Sequence, residues 1–199
     1  GFFESRLFAG EIIHASTSPY QRIVVARNGQ TINLFINGAL QFSSIDEHRY
    51  HESLVHPVMS LSRRHDHVLI LGGGDGLALR EVLKYDDVRQ ATLVDLDPAI
   101  TNLFRDNALM RGINAGSLTD SRTRIVNEDA WRFLEETTDR FDVVIIDLPD
   151  PHNLSLSKLY SKSFYTLLTQ RLNADSLFVT QATSPVFATR AYWSIVATL

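Results

Sequence analysis

The chain has 199 residues, of which 44% are hydrophobic and 21% charged, as is usual for one soluble globular domain. A net charge of −4 without any basic run gives no reason to expect nucleic acid as a partner. The absence of cysteine excludes disulfides and thiolate chemistry. No apolar stretch reaches the ~20 residues of a membrane span, and no secretory signal is present, so a cytoplasmic location is the default expectation.

The first part of the chain reads as short strands separated by turns. Strands are predicted at residues 11–16, 22–26, 32–36 and 40–43, with turn signals at Asn28-Gly29 and Asn37-Gly38. Residues 1–45 therefore form a small antiparallel β unit that is too small for a core of its own. It must pack on the next domain or on the same unit of a second subunit, and we expect a homodimer.

A helix is predicted from Asp46 to Val55, with Asp46 as a plausible N-cap. Tyr50 shares a helix face with Leu54 and Val55, so it could be a packed core aromatic as well as a ligand contact. His51 could equally lie on the surface.

The most informative stretch is residues 67–98. A buried strand at 68–71 leads into Gly72, Gly73, Gly74 and Gly76, and a helical pattern and a second strand at 91–94 follow. This is the first half of a doubly wound nucleotide-binding sheet. The chain is therefore predicted to be an α/β protein in which residues 46–199 form a Rossmann-like, mostly parallel sheet.

The glycine turn indicates the kind of nucleotide. Glycines allow close approach of a ligand to the backbone, and Asp95, after the second strand, could accept both ribose hydroxyls. Leu77 stands where the dinucleotide pattern has its third glycine, and the carboxylate of Asp75 would repel a pyrophosphate. The turn thus favours an adenosyl sulfonium over NAD, with a glycine turn that binds no ligand as the alternative.

The rest of the chain continues the alternation of helix and strand. We predict helices at 98–109, from Trp131, at 161–172 and from Phe187, and strands at 124–126, 141–146 and 177–181. Asp129 follows the third strand, where it could bind the amine of adenine, cap the next helix, or do both. The last helical pattern stops without a cap, so we expect a fragment that lacks the C-terminal strands of the sheet.

Two carboxylates, Asp147 and Asp150, follow the fourth strand in a turn that contains two prolines. Such an anionic pair suits a cationic amine, and one member could act as a base. The alternative is a polar turn with capping aspartates. No Cys/His cluster has metal-ligand spacing, so no metal is predicted.

Eight blocks in order and spacing resemble the spermidine synthase (polyamine aminopropyltransferase) family. They are Ser18-Pro19-Tyr20-Gln21, Asn37-Gly38-Ala39-Leu40-Gln41, Asp46-Glu47, Tyr50-His51-Glu52, Gly72-Gly73-Gly74-Asp75-Gly76, Asp95-Leu96-Asp97-Pro98, Asp129-Ala130 and Asp147-x-x-Asp150-Pro151. The resemblance implies a class I methyltransferase-like fold. Some bacterial members are fused to membrane-spanning helices, so the resemblance also allows a membrane-attached parent chain with this domain on the cytoplasmic side.

The resemblance also implies a reaction. Decarboxylated S-adenosylmethionine would donate an aminopropyl group to a diamine such as putrescine, giving spermidine and 5′-methylthioadenosine. Asp147 would be the base, and Tyr50 and Asp150 would hold the acceptor. The donor would be held by Gln21, His51, Gly72, Gly74, Asp75, Asp95, Asp129 and Ala130.

The sequence departs from the family at several points. Asp95 replaces the usual Glu, Leu77 replaces a Gly, and Leu148-Pro149 replaces a small hydroxylic pair. Leu154 stands where a proline-containing loop is usual, and residues 152–158, in the family's lid over the acceptor, match poorly, so the acceptor stays open. Two other functions remain: an S-adenosylmethionine methyltransferase, and a catalytically silent domain that binds adenosyl nucleosides or polyamines.

Overall fold

A computed structural model describes residues 10–150 and 154–199, and these form two β-sheets with helices around them. The strands of the described residues are β1 (Glu11–Thr17), β2 (Arg22–Asn28), β3 (Thr31–Ile36), β4 (Ala39–Ser43), β5 (His67–Gly72), β6 (Gln90–Val94), β7 (Thr123–Val126), β8 (Phe141–Asp147) and β9 (Leu172–Thr180). The helices are α1 (Glu47–Leu61), α2 (Leu77–Val82), α3 (Pro98–Asp106), α4 (Ala108–Ile113), α5 (Ala130–Glu136), α6 (Leu154–Ser157), α7 (Lys162–Thr169) and α8 (Thr189–Val196), with 3₁₀ turns at Ser117–Thr119 and Lys158–Tyr160. The predicted α/β fold with a separate antiparallel sheet is confirmed.

The first sheet is antiparallel in the order β1-β2-β3-β4. Its buried side chains, such as Ile23, Val25 and Leu34, join one hydrophobic cluster with Leu54 and Val55 of α1. The β unit therefore packs on the following domain, the first of the two predicted alternatives. Because this contact already buries one face, dimerisation is not required for stability and stays a prediction, as does the domain boundary at residue 46.

The second sheet is parallel in the order β7-β6-β5-β8-β9. Successive residues of β5 point to opposite faces: Val68 and Ile70 enter the cluster under α1, whereas Leu69 and Leu71 enter a second cluster. Burial on both faces explains the continuous apolar runs from which these strands were predicted.

The predicted end of α1 was wrong, and the predicted N-cap role of Asp46 is confirmed only in its position. The helix continues to Leu61 through Pro57, because Val58 and Met59 beyond the proline are buried in the core and packing outweighs one lost backbone hydrogen bond. Asp46 precedes the helix with φ −142° and ψ 3°, and its side chain makes no capping hydrogen bond.

Three other boundaries also differ. The predicted helix 98–109 is interrupted at Asn107, whose side chain accepts hydrogen bonds from the backbone of Leu109 and Met110 and so begins a new helix. The helix predicted to reach Leu172 ends at Thr169, since Leu172 already pairs with Phe141 in the sheet. The last helix begins at Thr189 rather than at 187.

Among the described helices, none combines the length and the hydropathy that crossing a bilayer requires. The predicted loss of C-terminal strands is not tested by this structure and stays a prediction.

Candidate active site

Acidic side chains from four strand ends meet at one edge of the parallel sheet. The glycine turn (residues 72–76) follows β5, Asp95 follows β6, Asp129 follows β7, and Asp147 ends β8. The order in which successive strands are added to the sheet reverses between β5 and β8, where open α/β sheets have their ligand crevice. The predicted site residues from these four strand ends therefore share one edge.

The glycine turn comes into close contact with two of these acids. Gly72 has φ 84°, and a Cβ there would lie 2.1 Å from the main-chain oxygen of Asp147. A Cβ on Gly74 would lie 2.6 Å from Oδ2 of Asp95. Only glycine allows the turn this close to both residues, and the predicted contact of Gly72 and Gly74 with a nucleoside stays a prediction.

Asp95 is fixed by backbone amides. Its Oδ2 accepts a hydrogen bond from Gly74 at 3.0 Å, and its Oδ1 accepts one from Asp97 at 2.9 Å. Burial raises the pKa of Asp95 to about 6 in spite of these two bonds, and the nearby charge of Asp75 adds to the effect. Each carboxylate oxygen has a second lone pair, so both retain capacity for a ribose hydroxyl.

Asp75 lies inside the glycine turn. Its Oδ1 accepts a hydrogen bond from Leu77 at 2.9 Å, and its main-chain oxygen accepts one from Asn114 at 2.9 Å. Burial raises the pKa of Asp75, the charge of His51 acts to lower it, and the charge of Asp147 raises it further. A cation entering between Asp75 and Asp147 would relieve this repulsion.

Tyr50 is directly bonded to Asp147. The hydroxyl donates to Oδ1 of Asp147 over 2.6 Å, and the Tyr50 side chain is 44% exposed, so it is not the packed core aromatic considered above. Burial raises the pKa of Asp147, although His51 and the bond from Tyr50 both favour its charge. The phenol pKa of Tyr50 is also raised, because its hydroxyl is shielded from solvent, although the ring is partly exposed, and because a carboxylate lies beside it.

His51 is buried rather than on the surface, with 3% of its area exposed. Its Nδ1 lies 2.8 Å from both the main-chain oxygen and Oε2 of Glu47. Arg80 of α2 binds both carboxylate oxygens of Glu47, at 2.8 and 3.0 Å. Sequence reasoning did not name Arg80, and it quoted Glu47 only within the block Asp46-Glu47 without a role, although Glu47 lies four residues before His51, at helical contact spacing.

The turn that carries Asp150 is fixed by side chains from two other parts of the chain. The side-chain amide of Gln181 donates to Oδ1 of Asp150 at 3.0 Å and to the main-chain oxygen of Leu148 at 2.7 Å. The Tyr160 hydroxyl lies 3.0 and 3.1 Å from the carbonyls of Leu148 and Pro149. Sequence reasoning missed Tyr160 and Gln181, whose approach depends on tertiary folding. Residues 151–153, which include the first two residues of the predicted lid, lie outside the described residues.

Asp129 caps α5, as one of its two predicted roles requires. Its Oδ1 accepts from Trp131 and Arg132 at 2.9 and 3.1 Å, and its Oδ2 accepts from Lys158 at 3.1 Å. Ala130 is buried at the first position of the helix. The contact of Asp129 and Ala130 with adenine stays a prediction.

The loop between β1 and β2 reaches the same edge. The Ser18 hydroxyl donates to Oδ2 of Asp97 over 2.7 Å, and the backbone of Ser18 donates to the main-chain oxygen of Gln21 at 2.9 Å. Gln21 is half-buried. The hydrogen bond from Ser18 fixes the loop of Gln21 to Asp97, which lies two residues after Asp95. A loop of the antiparallel sheet therefore lies beside the strand end that carries Asp95.

A different cluster has ligand-type atoms within 4.8 Å of one another: Glu52, His56 and Glu81. The carboxylate of Glu81 already receives Arg80 at 2.9 Å and Lys84 at 2.5 Å. Because two cationic side chains already neutralise the Glu81 carboxylate, the cluster is an ion-pair network rather than a metal site.

Residues 47–198 match the spermine/spermidine synthase domain. The chain is 51% identical over 197 residues to a polyamine aminopropyltransferase of Oceanobacillus iheyensis, with 99% of this chain covered. It is 50% identical over 198 residues to a polyamine aminopropyltransferase of Leptospira interrogans, with 100% covered. These matches span 38% and 40% of the two relatives, so the chain spans about two-fifths of their length.

Two solved structures that are similar to this chain are also spermidine synthases. A spermidine synthase in complex with the transition-state analogue AdoDATO superposes with a TM-score of 0.88 at 30% identity, over 94% of this chain and 64% of that one. The spermidine synthase of Thermotoga maritima gives a TM-score of 0.85 at 30% identity, over 94% and 62%.

Proposed function

The chain belongs to the spermine/spermidine synthase family, and from this premise we propose that it transfers an aminopropyl group from decarboxylated S-adenosylmethionine to a diamine such as putrescine. The products are spermidine and 5′-methylthioadenosine. The observation that carries the proposal is the acidic crevice between β5 and β8, where burial raises the pKa of both Asp75 and Asp147 and the charge of Asp147 raises that of Asp75 further. Both substrates of this reaction are cations.

The donor side of the crevice selects a decarboxylated nucleoside. Asp75 faces the ammonium of the aminopropyl group, whereas the carboxylate of intact S-adenosylmethionine would meet a like charge in a partly buried site. Asp95 accepts the ribose hydroxyls. The residues assigned to the donor are Gln21, His51, Gly72, Gly74, Asp75, Asp95, Asp129 and Ala130.

On the acceptor side, Asp147 is the base, and Tyr50 and Asp150 hold the diamine. The neutral amine nitrogen attacks the propyl carbon beside the sulfonium, and the electrons of the broken carbon–sulfur bond return to sulfur. Before this attack, Asp147 takes a proton from the ammonium of the acceptor, and it later passes that proton to water; the product leaves as an ammonium ion. Since burial keeps the pKa of Asp147 above its usual value, its carboxylate is a stronger base than a solvent-exposed aspartate.

The test offers decarboxylated S-adenosylmethionine together with putrescine, cadaverine, agmatine or longer amines, and measures methylthioadenosine. The proposal expects this product to depend on both donor and amine. The Glu52→Gln variant is a matched control, because Glu52 is an exposed acid on α1. Binding of the donor without product for every amine would instead support a silent binding domain, and S-adenosylhomocysteine formed from S-adenosylmethionine would support a methyltransferase.

The proposal extends to assembly and location. It makes the protein a cytoplasmic homodimer joined through the β unit, whose Leu40 side chain is 55% exposed. The chain spans about two-fifths of its curated relatives, which leaves room for a membrane tether in a longer parent protein. Light scattering at micromolar protein tests the assembly, and a monomer contradicts it. Fractionation of cells that express the parent protein tests the tether.

A further inference from the structure

A buried ion network adjoins the candidate active site without taking part in the chemistry proposed above. Glu47, with 7% of its side chain exposed, is bonded on one side to His51 and on the other to the guanidinium of Arg80. Arg80 also donates to the main-chain oxygen of Ile113 at 2.9 Å and to Glu81 at 2.9 Å. The Glu47 side chain is therefore fixed by one partner in its own helix, α1, and by another in α2.

These contacts assign the hydrogen on His51. Both groups at Nδ1, the main-chain oxygen and the carboxylate of Glu47, are acceptors, so Nδ1 carries a hydrogen. Burial disfavours the charge on Glu47, but the bonds from His51 and Arg80 outweigh it and lower its pKa to about 2, so it stays ionised at neutral pH. The nitrogen of His51 that gains and loses a proton is consequently Nε2.

The groups around His51 favour its protonated form. Burial acts to lower the pKa of His51, but the bond to Glu47 and the charges of Asp75 and Asp147 raise it above the usual value. Tyr50 packs edge-on against the imidazole, with ring centroids 5.0 Å apart, and its hydroxyl is bonded to Asp147. A protonated His51 would thus balance part of the charge of ionised Asp75 and Asp147.

We propose that Glu47, held by Arg80, is a positioning residue that fixes His51 with its hydrogen on Nδ1, so that the Nε2 proton leaves when a cationic ligand enters between Asp75 and Asp147. This rests on the proposed function, which supplies such a ligand. The balance is one proton released to solvent for one cation gained by the acidic crevice. The Nε2 lone pair is then free to accept a hydrogen bond from the ligand ammonium. Binding of the cation therefore strengthens as the pH rises through the pKa of ligand-free His51.

The role of Glu47 is tested in the ligand-free protein by following the imidazole nitrogens of His51 by NMR as a function of pH. We expect Nδ1 to stay protonated throughout and Nε2 to titrate. Glu47→Gln removes the carboxylate and should lower the pH midpoint of His51, whereas Glu52→Gln, an exposed acid next to His51, should leave it unchanged. A neutral tautomer with its hydrogen on Nε2, or an unchanged midpoint in Glu47→Gln, would overturn the positioning role.

Proton release is tested by calorimetry of decarboxylated S-adenosylmethionine in two buffers with different ionisation enthalpies. Below the His51 midpoint, binding should release up to about one proton. Methylthioadenosine, which lacks the aminopropyl cation, should release none. Glu47→Gln should move the release to lower pH. Binding without proton release at any pH overturns the coupling. A donor that does not bind at all overturns the proposed function and with it the coupling, while the NMR result decides the role of Glu47 independently.

Discussion

Replacing Asp147 with Asn should remove catalysis while leaving the site assembled. Asn has the same shape, and its Oδ1 can still accept the Tyr50 hydroxyl that now lies 2.6 Å from the carboxylate. The backbone contact with Gly72 is also unchanged, because it involves the main-chain oxygen of Asp147. The substitution therefore removes the proton acceptor and little else.

The expected loss is that of a general base. Turnover should fall by roughly 10²–10⁴-fold, equivalent to about 3 to 5 kcal/mol of activation free energy. Turnover of the parent enzyme should rise with pH, since both an ionised Asp147 and a neutral amine are needed. That dependence should weaken in Asp147→Asn, where only the ionisation of the amine remains.

The assay is steady-state formation of methylthioadenosine, with donor affinity measured separately by calorimetry and expected to change little. Thermal denaturation supplies the control for folding. Because burial raises the pKa of Asp147, its ionised form costs stability at neutral pH, so the Asn variant should melt at the same or a higher temperature. This difference should disappear below the ordinary aspartate pKa, where both folded and unfolded parent are protonated. An Asn variant that turns over at the parent rate with every amine would refute the catalytic assignment.

Three further predictions concern the donor, the glycine turn and the acceptor loop. Decarboxylated S-adenosylmethionine should bind about ten- to a hundredfold more tightly than S-adenosylmethionine, with a smaller difference in Asp75→Asn; equal affinities by calorimetry would contradict the role of Asp75. Gly72→Ala places a Cβ 2.1 Å from a carbonyl oxygen at a φ of 84° and should lower the free energy of unfolding by about 1–3 kcal/mol or more. Gly112→Ala, where a Cβ meets nothing within 4 Å, is its control in denaturant titrations, and equal stabilities would contradict the steric argument. Tyr160→Phe removes the hydroxyl near the carbonyls of Leu148 and Pro149 and should raise the KM for the amine roughly tenfold with donor affinity retained; an unchanged KM would show that this bond does not position Asp150.

The strands of the sheets were predictable because the sequence features that indicate them lie within short stretches of the chain. Strands 68–71, 91–94 and 141–146 are apolar runs ended by glycine or aspartate, and parallel strands bring their carboxyl ends to one edge. The juxtaposition of the glycine turn, Asp95 and Asp147 follows from that topology alone. Helix ends were less predictable, since Asn107 looks like an ordinary helix residue until its side chain caps the next turn.

The contacts that cross between elements were not predictable from spacing. Tyr50 shows the same helical periodicity whether it packs in the core or bonds to Asp147, which lies 97 residues later. Gln181 reaches Asp150 only because β9 pairs with β8. Arg80 reads as a surface residue of an amphipathic helix, and its bonds to Glu47 depend on how α1 packs against α2.

The most direct test of aminopropyl transfer supplies decarboxylated S-adenosylmethionine and S-adenosylmethionine together with putrescine and measures the mass of the amine product. We expect putrescine that has gained an aminopropyl group, with methylthioadenosine formed in equal amount and no methylated amine. A product that has gained a methyl group, together with S-adenosylhomocysteine, would contradict it.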